Sequence, residues 1–326
     1  MQRGTVIALT IGVAAVAAAV VRAGAGAVAQ ALESLHLSGL LVLALLHLPI
    51  IVLMGFAWRL ASGDDPPASP SRFLWARFVR DAAGEVLPFL YLGGVVFGVR
   101  ALGRGRTITL GAVSACIDGA IELAAKLPYV LAALLTLLAL GPQNRFTRLL
   151  SLALIATAVV VASLALARRS LGASLGAMAR AVSSRWPAVL SLDDGGAGRD
   201  VQACFDRILR QRARLWSGFA LHLCCWCLGA GEVWVTFRLL GVDLTLSQAL
   251  AIDGTVVGLR TFGFMIPAAA GVQEASYMLA AALFGIPPAA AIAGSFARRA
   301  RDLVLGVGTL GIAAVGDAGS ALLRLR

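Results

Sequence analysis

Long apolar runs separated by short polar segments make up most of the chain. The eight runs are Thr5–Val21, Gly39–Trp58, Glu85–Val99, Ile108–Leu140, Leu149–Ala167, Leu215–Leu240, Leu250–Phe284 and Ala289–Leu323. A helix of about 20 apolar residues crosses the hydrocarbon core of a bilayer, and several runs reach or exceed that length. The pattern therefore predicts an all-α polytopic membrane protein, with the first run retained as a span and not removed as a signal peptide.

Two of these runs contain residues that break helices. Pro88 with the pair Gly93 and Gly94 interrupts the third run, and Pro267 with Gly271 interrupts the seventh. Broken backbone at membrane depth is tolerated only where protein or a cavity surrounds it, and paired broken segments often mark a transporter's central site. We therefore predict six spans and two re-entrant segments that enter from opposite faces, arranged as an inverted repeat.

Composition supports this class, since 59% of residues are hydrophobic, 14% are charged and the mean hydropathy is +0.86. We predict a single membrane domain over 1–326, with a first half of 1–167, a connector of 168–214 and a second half of 215–326. The connector carries nine arginines and four aspartates. The positive-inside rule places it in the cytoplasm and, by alternation of the spans, places both chain termini there too.

The net charge of +11 does not indicate a nucleic-acid partner. Inside the apolar runs the acidic and basic residues are nearly equal in number. The excess of arginine therefore belongs to the loops and chain ends. Cytoplasmic loops beside anionic lipid produce this distribution.

The first half contains charged residues within an apolar run. Asp118, Glu122 and Lys126 follow one another at intervals of four, which places them on one face of a helix and puts Glu122 before Lys126 in the favourable order. Two interpretations stay open: a polar wall of a lipid pathway or a proton-linked carboxylate, and an ion pair buried for helix packing.

The second half contains a further set of embedded charges around the predicted break. Asp253 and Arg260 share a helix face, Glu232 lies near the middle of its run, and Gln273 with Glu274 opens the helix after the break. A carboxylate is favoured at a helix N-terminus, so Glu274 is either a functional residue or a cap that holds the break. We favour function, because a neutral residue would cap at lower cost.

An arginine cluster follows in the last run. Arg298 and Asp302 are spaced as an i, i+4 pair, with Arg299 and Arg301 beside them. Such a cluster suits recognition of phosphate or carboxylate, and the alternative is a helix end at the membrane surface. The histidines are too isolated in the sequence to predict a metal site.

Catalytic motifs are missing from the sequence: it has no nucleophile elbow, zinc-binding pair, P-loop or dinucleotide fingerprint. The five cysteines have no metal-binding spacing and fit small buried hydrophobic positions. We expect no enzymatic activity and no cofactor.

Several of these segments resemble a known family. Pro267–Tyr277 and Arg298–Asp302 resemble the C-terminal signature of hopanoid-biosynthesis-associated membrane proteins, which are similar to the membrane-embedded flippase region of lysylphosphatidylglycerol synthases. Trp75–Phe78, Asp118–Glu122 and Glu232–Trp234 extend the resemblance over nearly the whole chain. The chain departs from the family pattern in one place, where three alanines fill a gap that usually holds glycine or small turn residues.

The resemblance implies lipid handling at the bacterial inner membrane. The resulting hypothesis is a flippase or transporter for hopanoids or related amphiphiles, whose headgroup path is lined by Arg260, Glu274 and the Arg298–Asp302 cluster. Synthesis of an aminoacyl lipid is not expected. The runner-up is a scaffold that holds hopanoid-synthesis enzymes through the basic connector. A third hypothesis is a membrane-embedded enzyme, and only carboxylates such as Asp118 and Glu122 favour it.

The partners follow from these hypotheses. We expect membrane lipids, either hopanoid or phospholipid, and no nucleic acid. Hopanoid-synthesis enzymes and a second copy of the chain, as a homodimer, stay open as protein partners.

Overall fold

The structure is a computed structural model, and it describes residues 17, 20–21, 23–86, 92–103, 106–142, 145–166, 197–262 and 271–323. The described residues form ten helices and contain no strand. The helices are α1 Ala25–Leu60, α2 Pro70–Val86, α3 Leu92–Leu102, α4 Arg106–Leu140, α5 Arg145–Leu166, α6 Ala197–Arg210, α7 Arg212–Leu239, α8 Leu246–Phe262, α9 Val272–Ala282 and α10 Pro288–Leu323.

The chain divides into two compact units. Unit 1 comprises Met1–Ile50, Ala124–Ser163 and Leu223–Asp302. Unit 2 comprises Ile51–Leu123, Leu164–His222 and Leu303–Arg326. Each unit has its own buried apolar clusters. One in unit 1 centres on Phe237 and Tyr277, and one in unit 2 centres on Trp58 and Phe73.

The distribution of side chains is that of a membrane protein. Large aliphatic residues such as Leu45, Leu135 and Leu152 are exposed, whereas the charged residues Asp118 and Glu274 are fully buried. An apolar exterior with charged groups inside is stable only where lipid replaces water around the helices. Three of the described helices, Ala25–Leu60, Leu110–Leu140 and Arg212–Leu239, are long and apolar enough to cross a membrane.

The other apolar runs agree with the helices of the structure to different extents. Helices α5 and α10 coincide with the fifth and eighth apolar runs, while the first run lies almost wholly outside the described residues. The backbone of α1 leaves the helical conformation at His36, where φ is 50° and ψ is 169°, so the continuous part of α1 starts close to the predicted Gly39. The count of six spans stays a prediction.

The first interrupted run forms part of a helical hairpin in unit 2. Helices α2 and α3 pack against each other, and the predicted breaker Pro88 lies outside the described residues. The prediction that Gly93 and Gly94 break the run was wrong, because both lie inside α3. Gly94 instead permits close packing: a Cβ there would lie 2.5 Å from the backbone oxygen of Arg80.

The second interrupted run forms a hairpin in unit 1. Helix α8 ends at Phe262, α9 begins at Val272, and the two helices are in contact. Gly271 precedes α9 with φ of +81°, a conformation that glycine adopts without strain, so it is suited to end the interruption. Pro267 lies outside the described residues.

The aromatic residues and arginines of Arg72–Ala83 predict a short interfacial helix at the membrane surface, and the structure contradicts that prediction. This segment lies within α2, where Phe73 is fully buried and Arg77 and Arg80 are only 3% and 4% exposed. The sequence pattern of aromatic and arginine residues fits an interface, but the carboxylates that allow these arginines to be buried come from α4, which is distant in sequence.

Candidate functional site

Unit 2 contains a network of buried ion pairs, here called the Asp118 cluster. It consists of Arg77, Arg80 and Asp81 on α2, Asp118 and Glu122 on α4, and His222 on α7. The candidates Asp118 and Glu122 are therefore brought together, as their shared helix face predicted.

The two arginines of this cluster hold both carboxylates of α4. Arg80 Nη1 donates to Asp118 Oδ2 at 2.9 Å, and Arg77 Nη1 donates to Glu122 Oε2 at 3.3 Å. Arg77 Nε also donates to Asp81 Oδ2 at 2.9 Å. Charges buried in this way are tolerated because they are paired and hydrogen-bonded.

His222 completes the Asp118 cluster, and its apparent isolation in the sequence was misleading. Its Nε2 lies 2.9 Å from Asp118 Oδ1, and neither side chain is exposed to solvent. Asp118, Glu122 and His222 are metal-binding residue types whose ligand atoms lie within 4.8 Å of one another. The guanidinium groups of Arg77 and Arg80 already supply the positive charge there, so we interpret the cluster as an ion-pair network.

Unit 1 contains a second network, here called the Glu232 cluster. It consists of His47 on α1, Glu232 on α7, Asp253 on α8, and Arg298, Arg301 and Asp302 on α10. Glu232 accepts from Arg301 Nη1 at 2.5 Å and lies 2.9 Å from His47 Nδ1. Arg301 also donates to Asp302, at 2.6 Å from its Nη2.

Asp253 anchors the other end of the Glu232 cluster. Its carboxylate accepts from Arg298 Nη1 at 2.7 Å and from the Tyr129 hydroxyl at 2.5 Å. Arg298 Nη1 also lies 3.4 Å from the hydroxyl oxygen of Tyr277. These contacts correct the predicted pairing of Arg298 with Asp302, because Arg298 pairs with Asp253 on α8 and Asp302 pairs with its neighbour Arg301.

Glu274 lies in a separate network of unit 1, here called the Glu274 network. Its side chain is fully buried and accepts from Arg299 Nε at 2.6 Å, from the Ser295 hydroxyl at 3.1 Å and from the backbone N–H of Gly271 at 2.8 Å. Gln273 donates to the Ser295 hydroxyl at 2.9 Å. The carboxylate thus both caps α9 and pairs with an arginine of α10. The capping role considered from the sequence is confirmed, and the functional role stays a prediction.

The remaining candidates of unit 1 are dispersed around these networks. Lys126 Nζ lies 5.1 Å from the centre of the Trp226 ring and 3.5 Å from the Thr261 hydroxyl. Arg260 lies in the last turn of α8, the helix that also carries Asp253. Asp253 forms an ion pair with Arg298 of α10.

Sequence reasoning missed several members of these networks. Arg77 and Arg80 were assigned to a membrane surface, and His47 and His222 were given no role. One signal could have found the arginines, since Arg77, Arg80 and Asp81 have the same spacing as Arg298, Arg301 and Asp302. Nothing local to the sequence pairs the histidines with carboxylates more than 100 residues away.

The fold and these networks define a class of protein: an all-helical membrane protein that carries paired charges inside apolar helices. A family model described as the lysylphosphatidylglycerol synthase TM region matches residues 5–308. The chain belongs to this family, which confirms the broader part of the resemblance inferred from the sequence. Comparison with curated proteins and with solved structures found no match.

Proposed function

We propose that this protein moves lipids between the leaflets of the bacterial inner membrane, as a flippase or transporter of hopanoids or related amphiphiles, and that it is not an enzyme. Membership of the family supports a role in lipid handling within a membrane. The observation that carries the proposal is the Glu274 network, in which a buried carboxylate at the start of α9 pairs with a partly exposed arginine of α10.

A headgroup that crosses the hydrocarbon core needs polar partners at membrane depth, because no water is available there. The Glu274 network offers a cation and an anion side by side. Arg299 retains 23% exposure whereas Glu274 has none. The guanidinium can therefore exchange Glu274 for a headgroup oxygen, while Ser295 and the Gly271 N–H continue to hold the carboxylate.

The two helical hairpins support transport in preference to simple anchoring. Each hairpin joins two helices across a segment that the sequence predicts to be broken: α2 ends at Val86 and α3 begins at Leu92 in unit 2, and α8 ends at Phe262 and α9 begins at Val272 in unit 1. Interrupted helices in both halves of a membrane protein are characteristic of transporters that bind substrate near the midplane.

A leaflet assay tests this function. The full chain is reconstituted in vesicles that contain fluorescent analogues of a hopanoid or of a phospholipid, and movement between leaflets is measured by chemical quenching of the outer leaflet. We expect movement with the unmodified protein and its loss with Glu274→Gln, which keeps the size of the side chain and removes its charge.

The matched control is Asp243→Asn. Asp243 is 86% exposed and forms a surface ion pair with Arg238 at 3.0 Å, so this carboxylate-to-amide change should leave movement unchanged. Absence of movement of every lipid by the folded, unmodified protein contradicts the proposal. Recovery of a chemically altered lipid in the same vesicles contradicts the expectation that the protein is not an enzyme.

The scaffold alternative predicts a different response. Helix α6 within the connector has Ile208 buried and Arg207 and Arg210 exposed, which is the pattern of an amphipathic helix whose polar face is accessible to a partner. Replacing Arg207 and Arg210 by glutamine should abolish capture of hopanoid-synthesis enzymes if the protein is a scaffold. If it is a transporter, the same change should leave lipid movement intact.

A further inference from the structure

The pairing of Glu274 with Arg299 has a geometry that a phosphate group can adopt. Arg299 Nε donates to Glu274 Oε1 at 2.6 Å, and Arg299 Nη2 donates to Glu274 Oε2 at 3.3 Å. Two oxygens of one anion therefore face one edge of the guanidinium group. Phosphate presents two of its oxygens to arginine in the same bidentate way, so the carboxylate occupies the position that a phosphate would take.

Glu274 keeps a hydrogen-bond donor on each oxygen when it releases that edge. The Ser295 hydroxyl donates to Oε1 at 3.1 Å, and the backbone N–H of Gly271 donates to Oε2 at 2.8 Å. A buried carboxylate without any donor is costly, which would ordinarily prevent it from giving up its arginine. The two remaining donors lower that cost, so Arg299 can change partners while Glu274 stays in place.

Gln273 orients the hydroxyl that holds Glu274. Its Nε2 donates to Ser295 Oγ at 2.9 Å and to the Ser295 backbone oxygen at 3.2 Å, and both residues are buried. Because Ser295 Oγ accepts from this amide, the single hydrogen of the hydroxyl is directed to Glu274. Gln273 and Ser295 are therefore positioning residues, which keep the carboxylate in place during the exchange.

The unequal exposure of the pair selects an anion as its ligand. A ligand that reaches the pair meets the guanidinium of Arg299, which is 23% exposed, whereas Glu274 has no exposed surface to offer to an ammonium group. An uncharged hydroxyl gains much less than an oxyanion from a guanidinium. Among the embedded ion pairs of the described residues, the other arginines are less exposed: 16% for Arg298 and at most 4% for Arg77, Arg80 and Arg301.

We propose that the Glu274 network binds the phosphate group of a membrane phospholipid, and that Glu274 is a tethered competitor that occupies Arg299 until the phosphate takes its place. Among the amphiphiles of the proposed function, the site selects those that carry a phosphate. The role of this exchange in lipid movement rests on the proposed function, whereas phosphate binding does not. Return of Glu274 to Arg299 displaces the phosphate and releases the lipid.

A tethered competitor has opposite effects on binding and on movement. Glu274→Gln removes the charge that competes with phosphate and leaves Arg299 in place, so phospholipid binding should tighten by about tenfold. The same variant lacks the charge that displaces the phosphate, so lipid movement should be lost. A residue that only stabilises the fold, or that only contacts the lipid, would not tighten binding when its charge is removed.

Native mass spectrometry of the full chain in detergent tests phosphate binding directly. The protein is titrated with phosphatidylglycerol and with diacylglycerol of the same acyl chains, which lacks the phosphate. We expect the unmodified protein to prefer phosphatidylglycerol, Glu274→Gln to bind it about tenfold more tightly, and Arg299→Gln to bind both lipids equally. Arg238→Gln is the matched control, because it also removes an arginine from an ion pair, with Asp243 at the surface, and should leave binding unchanged.

A second variant tests the exchange if Glu274→Gln does not fold. Ser295→Ala keeps both charges and removes the donor that remains on Oε1 of Glu274, so release of Arg299 becomes costlier. Binding of phosphatidylglycerol should weaken by about threefold to tenfold. Ser276→Ala is its control, because the Ser276 hydroxyl donates at 2.6 Å to the backbone oxygen of Val272 within α9, and binding should not change.

Several results would overturn the proposal. Equal binding of phosphatidylglycerol and diacylglycerol by the unmodified protein excludes phosphate selection, and unchanged or weaker binding by folded Glu274→Gln excludes a competitor. Displacement of phosphatidylglycerol by inorganic phosphate would make a free anion, and not a lipid, the ligand.

The leaflet assay separates this proposal from the proposed function. Selective binding of phosphatidylglycerol without movement of any lipid contradicts the proposed function and leaves the phosphate site standing. Movement of an uncharged hopanoid as fast as that of phosphatidylglycerol supports the proposed function and overturns selection by phosphate.

Discussion

Glu274 on α9 and Arg299 on α10 form a 2.6 Å ion pair in which only the arginine retains contact with the surroundings, being 23% exposed against none for the carboxylate. The pair closes the hairpin of unit 1 onto the helix that follows it. Glu274 has further donors in Ser295 and in the backbone of Gly271. The carboxylate is therefore held by three donors inside the unit, and the guanidinium is the partner that stays partly exposed.

This asymmetry predicts unequal effects of removing the two partners. Arg299→Ala leaves a fully buried carboxylate without its counter-charge and should lower the free energy of unfolding by about 3–5 kcal/mol. Glu274→Gln keeps a hydrogen-bonding group in place and should cost about 1–3 kcal/mol. Unfolding in mixed micelles with SDS measures both losses, and a larger loss for Glu274→Gln contradicts the unequal burial of the two partners as the cause.

Within the Asp118 cluster, we expect Asp118 to contribute far more to the free energy of unfolding than Asp81. Asp118→Asn breaks contacts with Arg80 and His222, and all three side chains are buried. A loss of about 3–5 kcal/mol in the free energy of unfolding is therefore expected. Asp81→Asn makes the same chemical change at a residue that is 29% exposed, and a loss below about 1 kcal/mol is expected. Equal losses would show that the contacts of Asp118 do not stabilise unit 2.

Two tyrosines that contact the Glu232 cluster, Tyr129 and Tyr277, provide a matched comparison. Tyr129→Phe removes a 2.5 Å hydrogen bond to the carboxylate of Asp253, the partner of Arg298, and should cost about 1.5–3 kcal/mol. Tyr277→Phe removes a longer contact of 3.4 Å to Arg298 and should cost about 0.6 kcal/mol, the average for hydrogen bonds inside membrane proteins. Thermal unfolding followed by tryptophan fluorescence ranks the two variants, and the reverse order contradicts the geometry.

The hairpin of unit 2 depends on a glycine at its closest approach. A Cβ on Gly94 would lie 2.5 Å from the backbone oxygen of Arg80 and 3.0 Å from the backbone nitrogen of Gly84. Gly94→Ala should therefore force α2 and α3 apart and cost about 1–3 kcal/mol. Gly84→Ala is the control, because its Cβ would meet nothing within 4 Å and alanine favours a helix by about 0.5–1 kcal/mol.

The sequence by itself determined the class of protein and the approximate bounds of most helices, and it predicted two interrupted segments. Hydrophobic length and helix-breaking residues are local properties, so they can be read without knowing what the chain packs against. The sequence also identified Glu274 and the arginine cluster of α10, because an ionisable residue inside an apolar run is conspicuous wherever it points.

Only the tertiary structure decided which charges are partners. Asp253 pairs with Arg298 across 45 residues and Glu232 meets His47 across 185, whereas the sequence favoured neighbours four or seven positions away on one helix. Helical spacing shows which residues share a face, but the partner of a buried charge is chosen by the helix packed against that face. For the same reason Arg77 and Arg80 were assigned to the membrane surface until the carboxylates of α4 placed them in the interior of unit 2.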